Sequence, residues 1–424
     1  MPADVARARD DARAIWRAAL GAGDPGPLVR AHLGAVPATG RVLVLGCGKA
    51  SGAMAGAAEE ALGERVAAGF VVVKDGYTAP CARVELTEAG HPVPDERGLA
   101  ASARLLDLAR GAGEDDLVLF LVSGGGSALT PAPAPPVTLA EKREVTRLLL
   151  SAGATIGELN AVRKHLSRFK GGQLARAAWP AAVLTLALSD VIGDPLDVIA
   201  SGPTAPDPTT FRDALDVLEA RRLAGRVPGS VRERLEAGLR GSVEETPKPG
   251  DGIFQRVTNL VIGNNALVTD AALAEARRLG YRAELVTRAL EGEARLVARE
   301  LVERGRRLPP RSCLVAGGET TVTVRGRGKG GRCQELALAA ALALAPGAPL
   351  AVLAGGTDGT DGPTDAAGAL VDAGTPARAR AAGVDPARAL EDNDAHAALA
   401  ASGDLLVTGP TNTNLLDLYL VLRD

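Results

Sequence analysis

The chain has 424 residues, 46% hydrophobic and 23% charged, enough to bury more core than one ordinary domain of about 100 to 200 residues holds, and wholesale disorder is excluded. With 48 Lys and Arg against 51 Asp and Glu the net charge is -3, so no general basic field attracts nucleic acid or anionic lipid, and aromatics at 2% are too sparse for a base-stacking platform. Four cysteines without CxxC spacing argue against a zinc cage and a disulfide framework, and the acidic N-terminal stretch does not suit a secretory signal; a cytoplasmic protein with neither nucleic-acid nor membrane partner is expected.

After an opening amphipathic helix, short apolar runs alternate with stretches of helical period, the α/β pattern. Strands are predicted at 41–46, 69–75, 84–89, 116–123 and 181–189, with helices near 50–62, 96–110, 138–151, 209–221 and 229–239. Most of these strands are continuous apolar runs, as expected for a parallel sheet buried on both faces. The segment 241–252 (GSVEETPKPGDG) reads as a linker, which divides the chain into domains 1–245 and 246–424. Beyond it come strands at 259–264, 283–288 and 312–318, a strand or hairpin in TVTVRGRG, a helix near 334–345, and strands at 350–356 and 404–409. The run Leu336 to Ala354 is broken by Pro346, Gly347 and Pro349, so it is a helix followed by a strand and does not span a membrane. The expectation is two α/β sandwich, Rossmann-like domains with mainly parallel sheets and a cleft between them. The closing DLYLVL run is either a strand of the second domain or a return to the first.

In such sheets ligands bind beyond the C-terminal strand ends. Gly46, Gly48, Lys49 and Ser51 follow the first strand; the loop is a tight turn with a solvated lysine or a phosphate site, and Ser51 breaks a dinucleotide fingerprint. Ser123, Gly124, Gly125, Gly126 and Ser127 follow the fourth, where glycines permit close approach of an anion. The segment Asn160 to Gln173 concentrates Arg163, Lys164, His165, Arg168 and Lys170, either as a cationic surface helix or with one basic face turned inward. Asp190 and Asp194 close the fifth strand and suit magnesium coordination or proton abstraction, with helix capping as the plainer role. The second half adds Asn264, Glu319, Arg332 near a helix N-terminus, and Asp358 with Asp361 in a glycine-rich turn. Cations for phosphates, carboxylates for a metal ion, and positioning loops fit phosphoryl transfer. No Gly-x-Ser-x-Gly elbow is present and only four histidines occur, which disfavours a Ser-His-Asp hydrolase.

In this order, GCGKASGAMA, GHPVPDERG, SGGGSAL, NAVRKHLSRFKGGQLA, LSDVIGDPLDVIASGPT, GKGGRCQELAL, AGGTDGTDGPTDAAGA and TGPTNTNLLDLYL resemble the class II glycerate kinases, the glycerate 2-kinase family whose C-terminal domain carries the MOFRL motif. The resemblance runs over nearly the whole chain. It implies ATP-dependent, Mg2+-assisted phosphorylation of D-glycerate to 2-phosphoglycerate, with D-glycerate and ATP as partners and Lys49 and Arg332 as leading catalytic residues; Asp190 is our choice of magnesium ligand or base beside them, and a homo-oligomer is an option. Two positions depart from the family pattern: Cys333 where Asn is common, and Asn412 where Gly is. Some members bear the name hydroxypyruvate reductase, so a nicotinamide-dependent reductase is the competing enzyme reading, which the broken fingerprint at Ser51 disfavours. A non-enzymatic sugar-phosphate sensor is a third, disfavoured by the acids Asp190, Asp194, Asp358 and Asp361.

Overall fold

The computed structural model describes residues 3–36 and 40–424, which form two compact units, one of residues 25–262 and one of residues 1–24 with 263–424. In the first unit, strands β1 (Val42–Cys47), β2 (Val66–Lys74), β3 (Val84–Ala89), β4 (Leu117–Val122), β5 (Ala182–Leu188) and β6 (Val257–Gly263) form one sheet in the order β3-β2-β1-β4-β5-β6. Pairing is parallel from β3 through β5. β1 and β4 are buried at every residue, as their unbroken apolar runs require. Leu43, Leu45, Phe70, Val118, Phe120 and Val183 line one face and pack against Leu105, Leu106 and Ala109 of helix Glu96–Arg110.

A separate helical cluster in this unit buries Leu148, Leu159, Val162, Phe211, Leu218 and Leu235. It holds helix Ile156–His165, whose start is fixed by reciprocal hydrogen bonds between Thr155 and Glu158. Leu159 and Val162 enter the cluster, so the helical period turns Asn160 and Arg163 to another side.

The second unit has β7 (Arg282–Leu290), β8 (Ser312–Gly318), β9 (Leu350–Gly356), β10 (Gly368–Asp372), β11 (Leu405–Leu406) and β12 (Asp417–Arg423), ordered β11-β10-β9-β12-β8-β7. Only β7 and β8 pair in parallel; β12 runs antiparallel between β8 and β9, and β10 antiparallel to β9. This sheet is therefore mixed where mainly parallel pairing was expected. The DLYLVL run is its central strand.

Three further differences from the sequence reading have simple causes. The expected linker at 241–252 is folded onto the first unit: Pro247 O accepts from Asp207 N at 2.8 Å and Thr246 Oγ1 donates to Asp207 at 2.9 Å. β6 then joins the first sheet, so the division lies between 262 and 263 and not at 245. The opening helix Ala3–Ala22 belongs to the second unit, where Arg9 is buried with its guanidinium 2.7 Å from Asp404 and Tyr281 donates to Asp11 at 2.8 Å. The TVTVRGRG segment makes no strand beyond a bridge at Thr321; the side chain of Asn393 accepts from the amides of Arg325 and Gly326 instead.

Candidate active site

At the C-terminal ends of the neighbouring strands β1 and β4, two glycine-rich loops are tied together. Lys49 N donates to Gly124 O at 2.9 Å, and Ser123 Oγ accepts from Ala50 N at 2.9 Å. Gly48 sits at φ 139°, and a Cβ there would lie 2.2 Å from Ser123 Oγ, so only glycine lets the loops meet. A Cβ at Gly125 would lie 3.5 Å from Lys49 Cγ and 3.1 Å from the His91 ring, which places both side chains over this turn. The amides of Gly124, Gly125 and Ser127 donate no hydrogen bond among the described residues, while those of Ser123, Gly126 and Ala128 do. Unbonded amides in a glycine turn beneath a lysine stem suit an anion. Gly46 and Ser51 serve the frame: Gly46 is buried in β1 against Leu121, and Ser51 Oγ donates to Leu121 O at 3.1 Å.

The basic segment after residue 160 is not a surface helix. Its helix ends at His165, and Lys164, His165 and Lys170 are each 1% exposed, whereas Arg168 faces solvent. Lys164 Nζ lies 3.1 Å from Asp197 and 3.2 Å from Asp207, so this expected ligand contact is a buried ion cluster of the fold. His165 is fixed between Ala161 O and Glu245, at 2.6 and 2.8 Å. Asp207→Ala should leave Lys164 with the part-exposed Asp197 alone and lower the unfolding free energy by about 2 to 3 kcal/mol in urea titrations; a loss below about 1 kcal/mol would show the second carboxylate to be dispensable.

Lys170 Nζ donates to Ser127 O at 2.7 Å and Thr130 O at 3.0 Å, holding the far end of the glycine loop. Burial lowers its pKa to about 7, against the pull of Cys47 and with the help of Arg163. Because the unfolded chain then binds a proton that the folded one releases, stability contributed by this group rises between about pH 7 and the ordinary lysine value. Lys170→Met should flatten that rise when unfolding free energies are compared at pH 7 and 10.

Ser201 Oγ donates to Asn160 Oδ1 at 2.9 Å and lies 3.0 Å from Ser127 Oγ. Ala200 and Ser201 hold φ of 49° and 63°, left-handed values costing roughly 1 to 3 kcal/mol each for such residues, a strain that tends to mark functional loops. Asp190 and Asp194 lie half-buried on the loop after β5, Asp194 at φ 56°.

In the second unit Arg332 opens helix Arg332–Ala343. Its Nε and Nη2 lie 2.6 and 2.9 Å from the two oxygens of Asp417, and Nη1 lies 2.9 Å from Glu319. Tyr419 donates to Asp417 at 2.9 Å. Burial opposes the Arg332 charge, but Asp417 outweighs it and holds the pKa above the usual arginine value. Asp361 caps the same helix, accepting from the amides of Cys333 and Gln334 at 3.1 and 2.8 Å; burial pushes its pKa up to about 6 despite these bonds. Cys333 is wholly buried, so its thiol fills space at the helix start. Asn264 caps helix Asn265–Arg278 by accepting from Leu267 N, and Asp358 accepts from Thr360 N at 3.0 Å within its turn. Asn412 stands at φ 57°, the conformation a glycine would take there, and one that asparagine tolerates better than other side chains.

Sequence reasoning missed Asn160, Ser201, His91, Asp417 and Tyr419. Asp417 carries a signal, a lone acid opening an apolar strand; Asn160 and Ser201 carry none until the helix and the β5 loop are brought together.

A family described as a domain of unknown function, DUF4147, matches residues 11–236, and the MOFRL family matches residues 312–417. A D-glycerate 2-kinase of Thermotoga maritima is 46% identical, over 90% of this chain and 90% of its own. The chain belongs to the glycerate kinase family. The crystal structure of a Thermotoga maritima glycerate kinase superposes with a TM-score of 0.87 at 43% identity, covering 98% of this chain and 99% of that one. A family relative from Agrobacterium vitis, provisionally named a hydroxypyruvate reductase, is 42% identical over 98% of this chain and 94% of its own.

Among the described residues no three His, Cys, Asp or Glu side chains converge as a metal cage, and no helix is long and apolar enough to cross a membrane.

Proposed function

We propose that the protein phosphorylates D-glycerate at its 2-hydroxyl with ATP as donor. The observation that carries this reading is the cradle of Gly124, Gly125 and Ser127 amides beneath Lys49, at the ends of two central parallel strands. It suits a phosphate chain and supplies the positive charge that a transferring phosphoryl group requires. Similarity over most of the chain to a D-glycerate 2-kinase supports the substrate. Lys49 stabilises charge on the migrating group and Arg332 presents a rigid guanidinium to an oxyanion.

Mg2+ fits this donor set, because it is ordinarily held by one or two carboxylates with the rest of its shell from phosphate and water. Asp190 and Asp194 are the oxygen donors that would hold it, and when bound it neutralises phosphate charge. In this reading Asp190 takes the proton of the attacking hydroxyl. A cytoplasmic location belongs to the same reading and agrees with four free cysteines.

The test is a coupled assay with ATP, Mg2+ and D-glycerate beside one with hydroxypyruvate and NADH or NADPH. ADP release with 2-phosphoglycerate as product is expected. The relative named for hydroxypyruvate reduction makes the second arm necessary; nicotinamide oxidation without ADP release would replace the kinase reading, and inactivity in both arms would favour a sensor.

A further inference from the structure

Asn160 is 3% exposed, and its Nδ2 has no hydrogen-bond partner among the described residues. A buried amide left unpaired is costly, so the group calls for a partner from outside the chain. The orientation is fixed from the other side. Ser201 donates to Asn160 Oδ1, and Ser127 at the end of the glycine loop lies within hydrogen-bond distance of Ser201.

One turn further along the same helix face is Arg163, half-buried, with neither an ion pair nor a hydrogen bond among the described residues. The charge of Arg163 is felt by Lys170 and by Lys142, both buried and both bonded only to backbone carbonyls: Lys142 to Pro131 O and Leu166 O, Lys170 to Ser127 O and Thr130 O. Burial and this neighbouring charge push both lysines toward the neutral amine, which leaves the Arg163 guanidinium as the charge that cannot be shed and has no carboxylate among the described residues. The contrast with Lys164 is instructive, because that side chain, adjacent in sequence, is given two aspartates. A buried positive charge without a counter-ion is unfavourable unless an anion arrives from outside.

We propose that Asn160 and Arg163 form an oxyanion subsite that takes the carboxylate of the hydroxy-acid substrate, with Ser127 and Ser201 fixing the Asn160 amide. The idea rests on the kinase reading and assigns within it the group that distinguishes glycerate from a neutral polyol. A carboxylate is favoured over a phosphate for two reasons. A planar guanidinium fork matches a planar carboxylate. The phosphate-type cradle already has its own donors in the amides of Gly124, Gly125 and Ser127. Asn160 is then a specificity residue whose loss should act on substrate affinity.

The experiment compares the full-length wild type with Arg163→Met and Asn160→Asp, varying D-glycerate and ATP independently and titrating D-glycerate, glycerol and inorganic phosphate by calorimetry. In Arg163→Met the KM for D-glycerate should rise about 30-fold or more while that for ATP stays within about threefold. Asn160→Asp places a like charge against the carboxylate and should act in the same direction; it keeps the test alive if the arginine variant does not fold by circular dichroism. A raised KM for ATP with an unchanged one for glycerate would overturn the assignment in favour of a nucleotide phosphate. Unchanged constants for both would make the cation purely structural and overturn it as well. If the wild type shows no glycerate kinase activity, the function proposed above falls. The subsite then stands only if calorimetry detects D-glycerate but not glycerol and Arg163→Met abolishes that heat.

Discussion

Lys49→Ala should lower kcat for glycerate phosphorylation about 100-fold or more, the scale of removing one preorganised electrostatic stabiliser, while leaving the fold in place. Lys49 keeps its main-chain contact when the side chain is shortened. Its backbone amide is bonded to Gly124 O, which alanine preserves, and its stem passes over Gly125, where contact is loose. The chain is half-exposed here, so truncation opens no core cavity. The effect should therefore fall on kcat with a small change in the thermal midpoint. A charge that binds ground state and transition state alike would raise KM instead, so the split between kcat and KM reports whether the ammonium acts on the migrating phosphoryl group. Steady-state ADP release at saturating ATP and D-glycerate decides it. A variant turning over within about threefold of wild type would remove Lys49 from the chemistry.

The centre of the first sheet was legible in the sequence because β1, β4 and β5 are buried on both faces. Runs such as LVLFLV have no polar alternation and must lie between helix layers. The glycine loops were legible for a related reason: consecutive glycines after a strand have few purposes other than close approach. Strand pairing was not legible. NLVIGN and DLYLVL look alike as apolar runs, yet β6 extends the first sheet and β12 occupies the middle of the second, antiparallel to both neighbours. Local pattern carries the period of a strand and nothing about its partner.

The site shows the same division. Lys49 and the Ser123 to Ser127 loop stand where the strand ends put them, but a basic run reads identically whether it is solvated or buried. Lys164 and Arg163 are adjacent in the chain and opposite in role: one is neutralised by Asp197 and Asp207, the other has no carboxylate. Asp207 and Asp197 lie more than thirty residues downstream of Lys164, and only tertiary structure reveals which cation they neutralise.

Arg332 offers the second large effect, and here turnover and stability must be separated. Asp417 is fully buried and takes two guanidinium bonds, while Arg332 itself remains about a third exposed on its Glu319 side. Arg332→Ala should lower kcat about 100-fold and also destabilise the second unit by about 3 kcal/mol, because Asp417 is left charged without its partner. Arg332→Lys keeps a positive charge within reach of Asp417 but cannot reproduce the fork, so its urea midpoint should stay close to wild type while turnover remains far below it. Glu319→Gln should leave stability nearly unchanged, since that ion pair is exposed. If Arg332→Lys restores stability and turnover together, the guanidinium is a strut for Asp417 and the oxyanion role falls. If stability returns and turnover does not, fork geometry is what the reaction uses, and the bonds to Asp417 are what hold that fork in place.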